Sequence, residues 1–156
     1  MPQSIQIIEY QAIYKEDFKQ INIEWIAKFF KVEPHDLEQL DAPEAIIDAG
    51  GQIFLARLNG EIVGTAALIY DGEGIYELAK MGVTPKAQGL GVGKLLCQRS
   101  IEAAKTKNAK LLYLLSNRSL VPAITMYKSL GFEEVLLGDT LYERSDIKMI
   151  YRESQF

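Results

Sequence analysis

The sequence contains little of what several large classes of protein need. It has one cysteine, one histidine and no long apolar run. Cys97 cannot form a disulfide within the chain, which favours a reducing compartment. The longest apolar segment, residues 62–70, is interrupted by Gly64 and Thr65 and is far short of the roughly 18 residues of a membrane span. The first residues lack the basic and apolar regions of a signal peptide, so we expect a cytoplasmic protein without a membrane partner.

The scarcity of histidine and cysteine also restricts the chemistry. A Cys/His metal cluster or a two-histidine zinc helix needs more of these residues than the chain has, so we expect no metal site. A serine triad would have to use His35, which lies in a Glu-Pro-His-Asp segment with no nucleophile elbow nearby. We interpret His35 as a surface residue near a helix N-terminus.

What is present is the composition of an ordinary globular domain. The 156 residues include 48% hydrophobic and 24% charged side chains, without an internal repeat or a low-complexity tract. We therefore expect a single domain over residues 1–156.

Charge is unevenly distributed along the chain, although the formal net charge is only −4. Residues 1–77 carry 14 acids and 5 bases, whereas residues 78–156 carry 7 acids and 12 bases. The basic half suits a polyanionic cofactor or a nucleic acid. The bases are densest between Leu78 and Phe132, where nine of them face one acid, Glu102. Nucleic-acid binding favours aromatic rings between the bases, and in that segment only Tyr113 and Tyr127 lie among them. We therefore predict no nucleic-acid partner.

The pattern of apolar residues and turns predicts an α+β fold. In the first half it indicates a strand at 5–8, a helix carrying an apolar stripe from 18 to 30, two short helices punctuated by Pro34 and Pro43, and strands at 53–58, 61–70 and 75–83. The Asn59-Gly60 turn is the strongest hairpin signal among these. In the second half it indicates a helix after Gly93, a buried strand at 110–115, a helix at 122–130 closed by Gly131, and strands at 132–137 and 147–152.

The segment Gln88-Gly89-Leu90-Gly91-Val92-Gly93-Lys94 lies between a predicted strand and a predicted helix. Glycine allows close backbone approach, and a helix N-terminus attracts phosphate oxygens. A P-loop would need glycine at position 88, and the dinucleotide-binding pattern would need glycine at position 94. Both patterns fail, so the segment is an anion-binding loop of another kind or a simple turn and helix start.

The spacing of this loop matches the Gln/Arg-x-x-Gly-x-Gly/Ala signature of the GNAT superfamily of N-acetyltransferases. A second segment, residues 122–132, resembles that family's A-I-x-x-Y-x-x-x-G-F pattern, and Met81-Gly82-Val83 ends the preceding strand as in the family. Trp25 and Ser116-Asn117 also resemble a bacterial subgroup of small, poorly characterised members. The resemblance covers nearly the whole chain. It implies a mixed, mostly antiparallel sheet of six to seven strands, with helices on both faces.

The resemblance also implies where acetyl-CoA, the family's cosubstrate, would bind. Backbone groups of Met81 and Val83, on either side of Gly82, would hydrogen-bond the pantetheine arm as an added strand does. Backbone amides of Gly89, Leu90, Gly91, Val92, Gly93 and Lys94 would hold the pyrophosphate, with the Gln88 side chain alongside. The fourth and fifth strands would splay apart after Val83 and Leu115, leaving a gap for the acetyl thioester.

The reaction that the resemblance implies is direct attack of a primary amine on the thioester within a ternary complex. Tyr127 occupies the family's general-acid position, although a helix tyrosine packed on the sheet is the alternative. Glu77 lies six residues before Val83, where one branch of the family carries its base. Strand alternation would place Glu77, Met81 and Val83 on one face. The alternatives for Glu77 are an anchor for the substrate ammonium, or a structural charge paired with Lys80 or Arg144.

Several features of the sequence have more than one interpretation. The family's usual cofactor-contacting asparagine position holds Leu120, so Asn117 either contacts the cofactor or substrate or caps the next helix. The acidic first half favours a cationic acceptor, because that half builds much of the family's substrate side. The resemblance implies that the acceptor is a small-molecule or peptide amine, and it allows a homodimer, because the last two strands commonly mediate dimers in this family. A CoA-binding module without catalysis is the main alternative to an enzyme.

Overall fold

The computed structural model describes residues 4–138 and 143–152, which form a seven-stranded sheet with helices on both faces. The strands are β1 (Ile5–Glu9), β2 (Gln52–Leu58), β3 (Glu61–Tyr70), β4 (Ile75–Val83), β5 (Leu111–Ser116), β6 (Phe132–Val135) and β7 (Ile147–Tyr151). The helices are α1 (Lys15–Phe29), α2 (Pro34–Asp41), α3 (Pro43–Asp48), α4 (Val92–Thr106) and α5 (Val121–Leu130). The predicted α+β class and strand number are confirmed.

The strand order is β1-β2-β3-β4-β5-β7-β6, and every neighbouring pair is antiparallel except β4 and β5. The parallel pair requires a crossover, which α4 supplies. At the far edge, β7 lies between β5 and β6, so the last two strands are not added in chain order. β6 ends at Val135, two residues before the predicted end at Leu137.

The predicted hairpin between β2 and β3 is present. Asn59 and Gly60 both have positive φ, 52° and 81°, as a two-residue turn matched to the strand twist requires. Leu58 pairs with Glu61 directly across this turn. The turn starts the meander that carries the chain to β4.

The sheet separates two apolar cores. One lies against α4 and α5 and includes Phe54, Leu96 and Leu114. The other lies against the first three helices and includes Phe18 and Leu40. Tyr76 and Leu78 of β4 belong to the first core, whereas Gly82 of the same strand lies under Trp25 of α1, so the two faces of β4 are directed at different helices.

Cys97 lies in α4 and is fully buried. Burial raises the pKa of its thiol to about 12, so the thiol stays protonated and packs as a small apolar residue. None of the helices in the described parts of the chain is long and apolar enough to cross a membrane.

The predicted splay between the fourth and fifth strands is present, but it begins earlier than expected. β4 pairs with β5 only from Ile75 to Leu78, opposite Leu111 to Leu114. The prediction that the strands separate after Val83 and Leu115 is therefore wrong in position. β4 bends away at a bulge near Lys80, while β5 continues beside β7 to Ser116. Within the described ranges, one edge of the last five residues of β4 consequently has no neighbouring strand.

Candidate functional site

A cleft of about 740 Å³ opens where β4 and β5 separate. It is lined on one side by the Gly-rich loop and the starts of α4 and α5, and on the other by α1 and residues 144–145. Because the sheet is open at this point, the cleft reaches both of its faces. We call the part beside α4 and α5 the α4 side, and the part beside α1 the α1 side.

The Gly-rich loop forms the rim of the α4 side. Gly89 and Gly91 have φ of 82° and 80°, and a β-carbon on either would meet no other atom within 4 Å. Gly91 is the N-cap of α4 and, as a glycine, has no side chain that could accept a hydrogen bond from the first turn of the helix. The N–H groups of Val92, Gly93 and Lys94 therefore begin the helix without intrahelical acceptors. The loop presents backbone donors to open space.

The remaining residues of the predicted cradle surround this rim. Leu90 is 44% exposed. The Gln88 side-chain amide lies 3.4 Å from the Val83 carbonyl oxygen, which joins the loop to the end of β4. A β-carbon on Gly93 would be 3.9 Å from both Met126 and Val83. The loop, the end of β4 and α5 therefore meet at one place.

The bulge in β4 is built around Lys80, whose φ of 53° is unusual for a residue with a side chain. Thr65 pairs with Gly82 and Ala67 with Ala79, so two residues of β4 lie opposite Ala66. The Thr65 hydroxyl donates to the Lys80 carbonyl oxygen at 2.7 Å, and buried Asn22 donates to Thr65 at 3.0 Å. Hydrogen bonds from two other elements thus hold the bulge.

The bulge overturns the prediction that Glu77, Met81 and Val83 share one face. Glu77 pairs with Ile69, which packs in the core of the first three helices. Met81 and Val83 pack against the core of α4 and α5. The extra residue at Lys80 reverses the alternation, so Glu77 lies on the α1 side and Met81 on the α4 side.

Glu77 lines the cleft at the point where β4 and β5 still pair. It makes no ion pair or hydrogen bond with a residue in the described ranges, so neither predicted structural partner, Lys80 or Arg144, forms an ion pair with it. Burial raises the pKa of its carboxyl group to about 7, and the positive charge of Lys80 partly opposes this. A carboxyl group with this pKa exchanges protons readily near neutral pH.

Tyr127 lies on α5, lines the same cleft and is 7% exposed. Its ring packs edge-on against Phe132, with the centroids 5.8 Å apart. Burial raises the pKa of its hydroxyl above the usual value of 10, with a smaller contribution from Cys97. The phenol therefore remains protonated at physiological pH. The family resemblance predicts Tyr127 and Glu77 at one site, and in the structure both residues line the cleft.

Asn117 lines the cleft just after β5. Its side-chain amide donates to the Arg144 carbonyl oxygen at 2.7 Å, and its side-chain oxygen accepts from the Ser119 backbone N–H at 2.9 Å. The helix-capping alternative is wrong, because the N-cap of α5 is Leu120, without a side-chain cap hydrogen bond. The side chain of Asn117 thus joins the loop after β5 to the segment before β7 through hydrogen bonds.

Sequence reasoning missed a buried charged cluster on the α1 side. Asp36, fully buried at the start of α2, accepts from both terminal nitrogens of Arg144 at 2.8 and 2.7 Å. Lys80 Nζ lies 3.2 Å from Asp36 Oδ1, and Arg144 also donates to Glu33 at 3.0 Å. We call these four residues the Asp36 cluster. It joins α2, the bulge of β4 and the segment before β7.

Opposing influences set the protonation of the Asp36 cluster. Burial alone would raise the pKa of Asp36, but hydrogen bonds from Arg144 and from the Glu33 backbone, with the charge of Lys80, hold it below its usual value. Burial lowers the pKa of Lys80, and Asp36 partly opposes that shift. The one sequence signal for this cluster was the capping pattern of α2, Glu33 with Asp36 three residues later. Nothing local indicated Arg144, which is 108 residues away.

Comparison with known proteins identifies the family. The family model described as "Acetyltransferase (GNAT) family" matches residues 12–132. A mycothiol acetyltransferase of Thermomonospora curvata is 32% identical over 109 residues, which are 69% of this chain and 36% of that protein. The uncharacterised N-acetyltransferase YjgM of Escherichia coli is 32% identical over 106 residues, 65% of this chain and 64% of that protein. The chain thus spans about a third to two thirds of the length of these relatives.

Solved structures agree with this match. An acetyltransferase of the GNAT family from Staphylococcus aureus superposes with a TM-score of 0.86 and 28% identity, covering 94% of this chain and 98% of that one. The YncA protein of Salmonella typhimurium, solved with its cofactor acetyl-CoA, shares the fold with a TM-score of 0.74 and 19% identity, over 94% of this chain and 92% of that one. The predicted fold class and superfamily are confirmed, and the chain belongs to the GNAT family of acetyltransferases.

Proposed function

We propose that this protein transfers an acetyl group from acetyl-CoA to a primary amine, by direct attack of the amine within a ternary complex. Acetyl transfer is the activity of the family. The observation that carries the proposal is a single cleft that crosses the sheet, with an ionisable carboxyl group, Glu77, and a protonated phenol, Tyr127, among its lining residues. The two reactants therefore have separate entrances to one reaction centre.

The α4 side fits acetyl-CoA, which would supply the acetyl thioester. The N–H groups that begin α4 suit a pyrophosphate, and the open space above Gly89 and Gly91 admits it. The unpaired edge of β4 around Met81, Gly82 and Val83 suits the amide groups of a pantetheine arm. We therefore keep residues 88–94 and 81–83 as the proposed cofactor site. Asn117 is its least direct member, because its polar atoms already have partners.

Glu77 is the proposed general base. An amine acceptor arrives as an ammonium ion and must lose a proton before its nitrogen can attack a carbonyl carbon. With a pKa of about 7, Glu77 is about half ionised at neutral pH and is a stronger base than an ordinary carboxylate. Its position on the α1 side matches an acceptor that enters opposite the cofactor.

Tyr127 is the proposed general acid, donating its proton to the sulfur as the carbon–sulfur bond breaks. Burial makes the phenol a weaker acid than it is in water. The same desolvation raises the proton affinity of a thiolate in the cleft, so the two pKa values move in the same direction. The backbone N–H of Met81 is the proposed donor to the carbonyl oxygen.

The first experiment asks whether the chain is an enzyme or a CoA-binding module. We would titrate the protein with acetyl-CoA and desulfo-CoA by calorimetry at two salt concentrations, then follow thiol release with a panel of primary amines. Stoichiometric, salt-weakened binding with amine-dependent thiol release supports the proposal. Binding without thiol release for any amine favours the module, and no binding contradicts the cofactor assignment.

A further inference from the structure

The α1 side of the cleft is lined by three aromatic residues, Trp25, Phe29 and Phe30, which we call the aromatic wall. The ring centroids of Trp25 and Phe29 are 5.2 Å apart, and those of Phe29 and Phe30 are 6.4 Å apart. Phe29 is 45% exposed although it is a large apolar residue. Aromatic side chains that gather at a cleft rather than in the core form a surface for an apolar ligand group.

The packing of α1 on β4 fixes the position of this wall. A β-carbon on Gly82 would be 3.4 Å from Trp25 Cβ, so the base of the Trp25 side chain lies directly over the strand. Asn22, one turn earlier on α1, is held by its hydrogen bond to Thr65. The wall therefore stands on the α1 side, the side on which Glu77 lies.

Most of the charged side chains that line the α1 side already form ion pairs. Of the three cations that line the cleft in the described ranges, Lys80 and Arg144 form ion pairs with Asp36, and Lys94 begins α4 on the other side of the sheet. Lys28, whose Nζ lies 5.4 Å from the Phe29 ring centroid, and Lys148, whose Nζ lies 4.8 Å from the Tyr113 ring centroid, are not among the lining residues. Among the described residues that line the α1 side, Glu77 is therefore a carboxyl group without an ion pair, and every cation already pairs with Asp36.

We propose that the acceptor is an aromatic monoamine without a carboxylate, an arylalkylamine whose ring packs on the aromatic wall and whose ammonium lies at Glu77. This rests on the proposed function and narrows it. An amino acid would bring a carboxylate, and the lining cations of the α1 side in the described ranges already pair with Asp36, so none is available to replace the hydration of that carboxylate. A polyamine would bring a second ammonium, and Glu77 is the one acidic residue among the described residues that line the cleft. The site therefore discriminates by both apolar contact and charge.

The turnover test compares four acceptors with acetyl-CoA as donor: 2-phenylethylamine, phenylalanine, ethylamine and putrescine. Phenylalanine adds only a carboxylate, and ethylamine lacks only the ring. We expect kcat/KM for 2-phenylethylamine to exceed each of the others at least tenfold. Equal values for phenylalanine overturn the charge argument, and equal values for ethylamine or putrescine overturn the role of the wall.

The variant test uses Phe29→Ala, because that half-exposed side chain can be removed without opening the core. We expect KM for 2-phenylethylamine to rise at least fivefold and its advantage in kcat/KM over ethylamine to fall by a similar factor, because ethylamine has no ring to pack on the wall. Ile13→Ala is the control, since Ile13 is 76% exposed and does not line the cleft. An unchanged KM in Phe29→Ala contradicts the proposal.

Binding can be measured without turnover, because Trp25 is the single tryptophan of the chain. With CoA present, 2-phenylethylamine should change the tryptophan fluorescence in a saturable way, and phenylalanine at the same concentration should not. If no amine is acetylated but this binding is seen, the proposed activity fails while the ligand class stands. If ethylamine or putrescine is acetylated and 2-phenylethylamine neither binds nor reacts, the ligand class fails while the activity stands.

Discussion

At the scale of single residues, the raised pKa of Glu77 follows from its position in a partly closed cleft, where its carboxyl group forms no ion pair with a described residue. Burial favours the neutral acid and raises its pKa to about 7. This makes Glu77 a useful base near neutral pH, and it also makes the ionised form unfavourable in the folded state. Activity and stability are therefore expected to oppose each other at this position.

We expect Glu77→Gln to change the stability of the protein in a pH-dependent way. Because the pKa of Glu77 is higher in the folded than in the unfolded chain, its contribution to stability is present below about pH 4.5 and is lost as the pH rises through 7. The glutamine variant should gain roughly 1 to 3 kcal/mol relative to the wild type between pH 5 and pH 8. Urea denaturation at both pH values measures this difference.

The control for that measurement is Glu102→Gln, on the exposed surface of α4. Its stability relative to the wild type should change by less than about 0.5 kcal/mol between the two pH values. A Glu77→Gln difference that is independent of pH contradicts the raised pKa.

Tyr127→Phe separates proton donation from packing. The ring stays against Phe132, so the variant should fold and bind acetyl-CoA normally while kcat falls at least tenfold, as loss of a general acid typically costs about 100-fold or more. Tyr76→Phe is the matched control, because Tyr76 is equally buried but does not line the cleft. An unchanged kcat in Tyr127→Phe excludes its role as the acid.

At the scale of elements, the Asp36 cluster joins α2 to the segment before β7. Arg144 bonds to Asp36 and Glu33 through its side chain, and its carbonyl oxygen accepts from Asn117. Asp146 accepts from the backbone N–H of Arg118. These contacts tie three otherwise separate parts of the chain together beside the cleft. We therefore expect the width of the proposed acceptor entrance to depend on the cluster.

Asp36→Asn should destabilise the protein, because it leaves Lys80 and Arg144 without their shared buried counter-ion. Removing one partner of a buried ion pair costs about 3 to 5 kcal/mol. We expect a loss of about that size in urea denaturation. Asp48→Asn, at the exposed end of α3, should change stability by less than about 0.5 kcal/mol. A similar small effect of Asp36→Asn would mean that the cluster does not join these elements.

At the scale of the whole molecule, the sequence predicts those features that depend on neighbouring residues. Local patterns predict the Asn59-Gly60 hairpin, the glycine-rich start of α4 and the end of α5 at Gly131 with a strand directly after it. The bulge at Lys80 does not, because Thr65 and Asn22, from two other elements, hold it. For that reason simple strand alternation gave the wrong face for Met81 and Val83.

Long-range pairing explains the other differences. The insertion of β7 between β5 and β6 and the bond between Asp36 and Arg144 join residues far apart in the chain. No local pattern specifies such partners. The two proposed catalytic residues were predictable because a family pattern marks the position of each one, and the acceptor side was not, because it is assembled from α1, α2 and the segment before β7.

The measurement that tests the central claim most directly is the pH dependence of kcat/KM for the amine, for the wild type and Glu77→Gln, because kcat/KM reports the ionisation of the enzyme before the amine binds. We expect kcat/KM of the wild type to rise about tenfold per pH unit below 7 and to level off above it, because the base must be ionised. The kcat/KM of Glu77→Gln should be at least tenfold lower at pH 8 and lack this rise. The same profile and a similar kcat/KM in both proteins would contradict the assignment of Glu77 as the base.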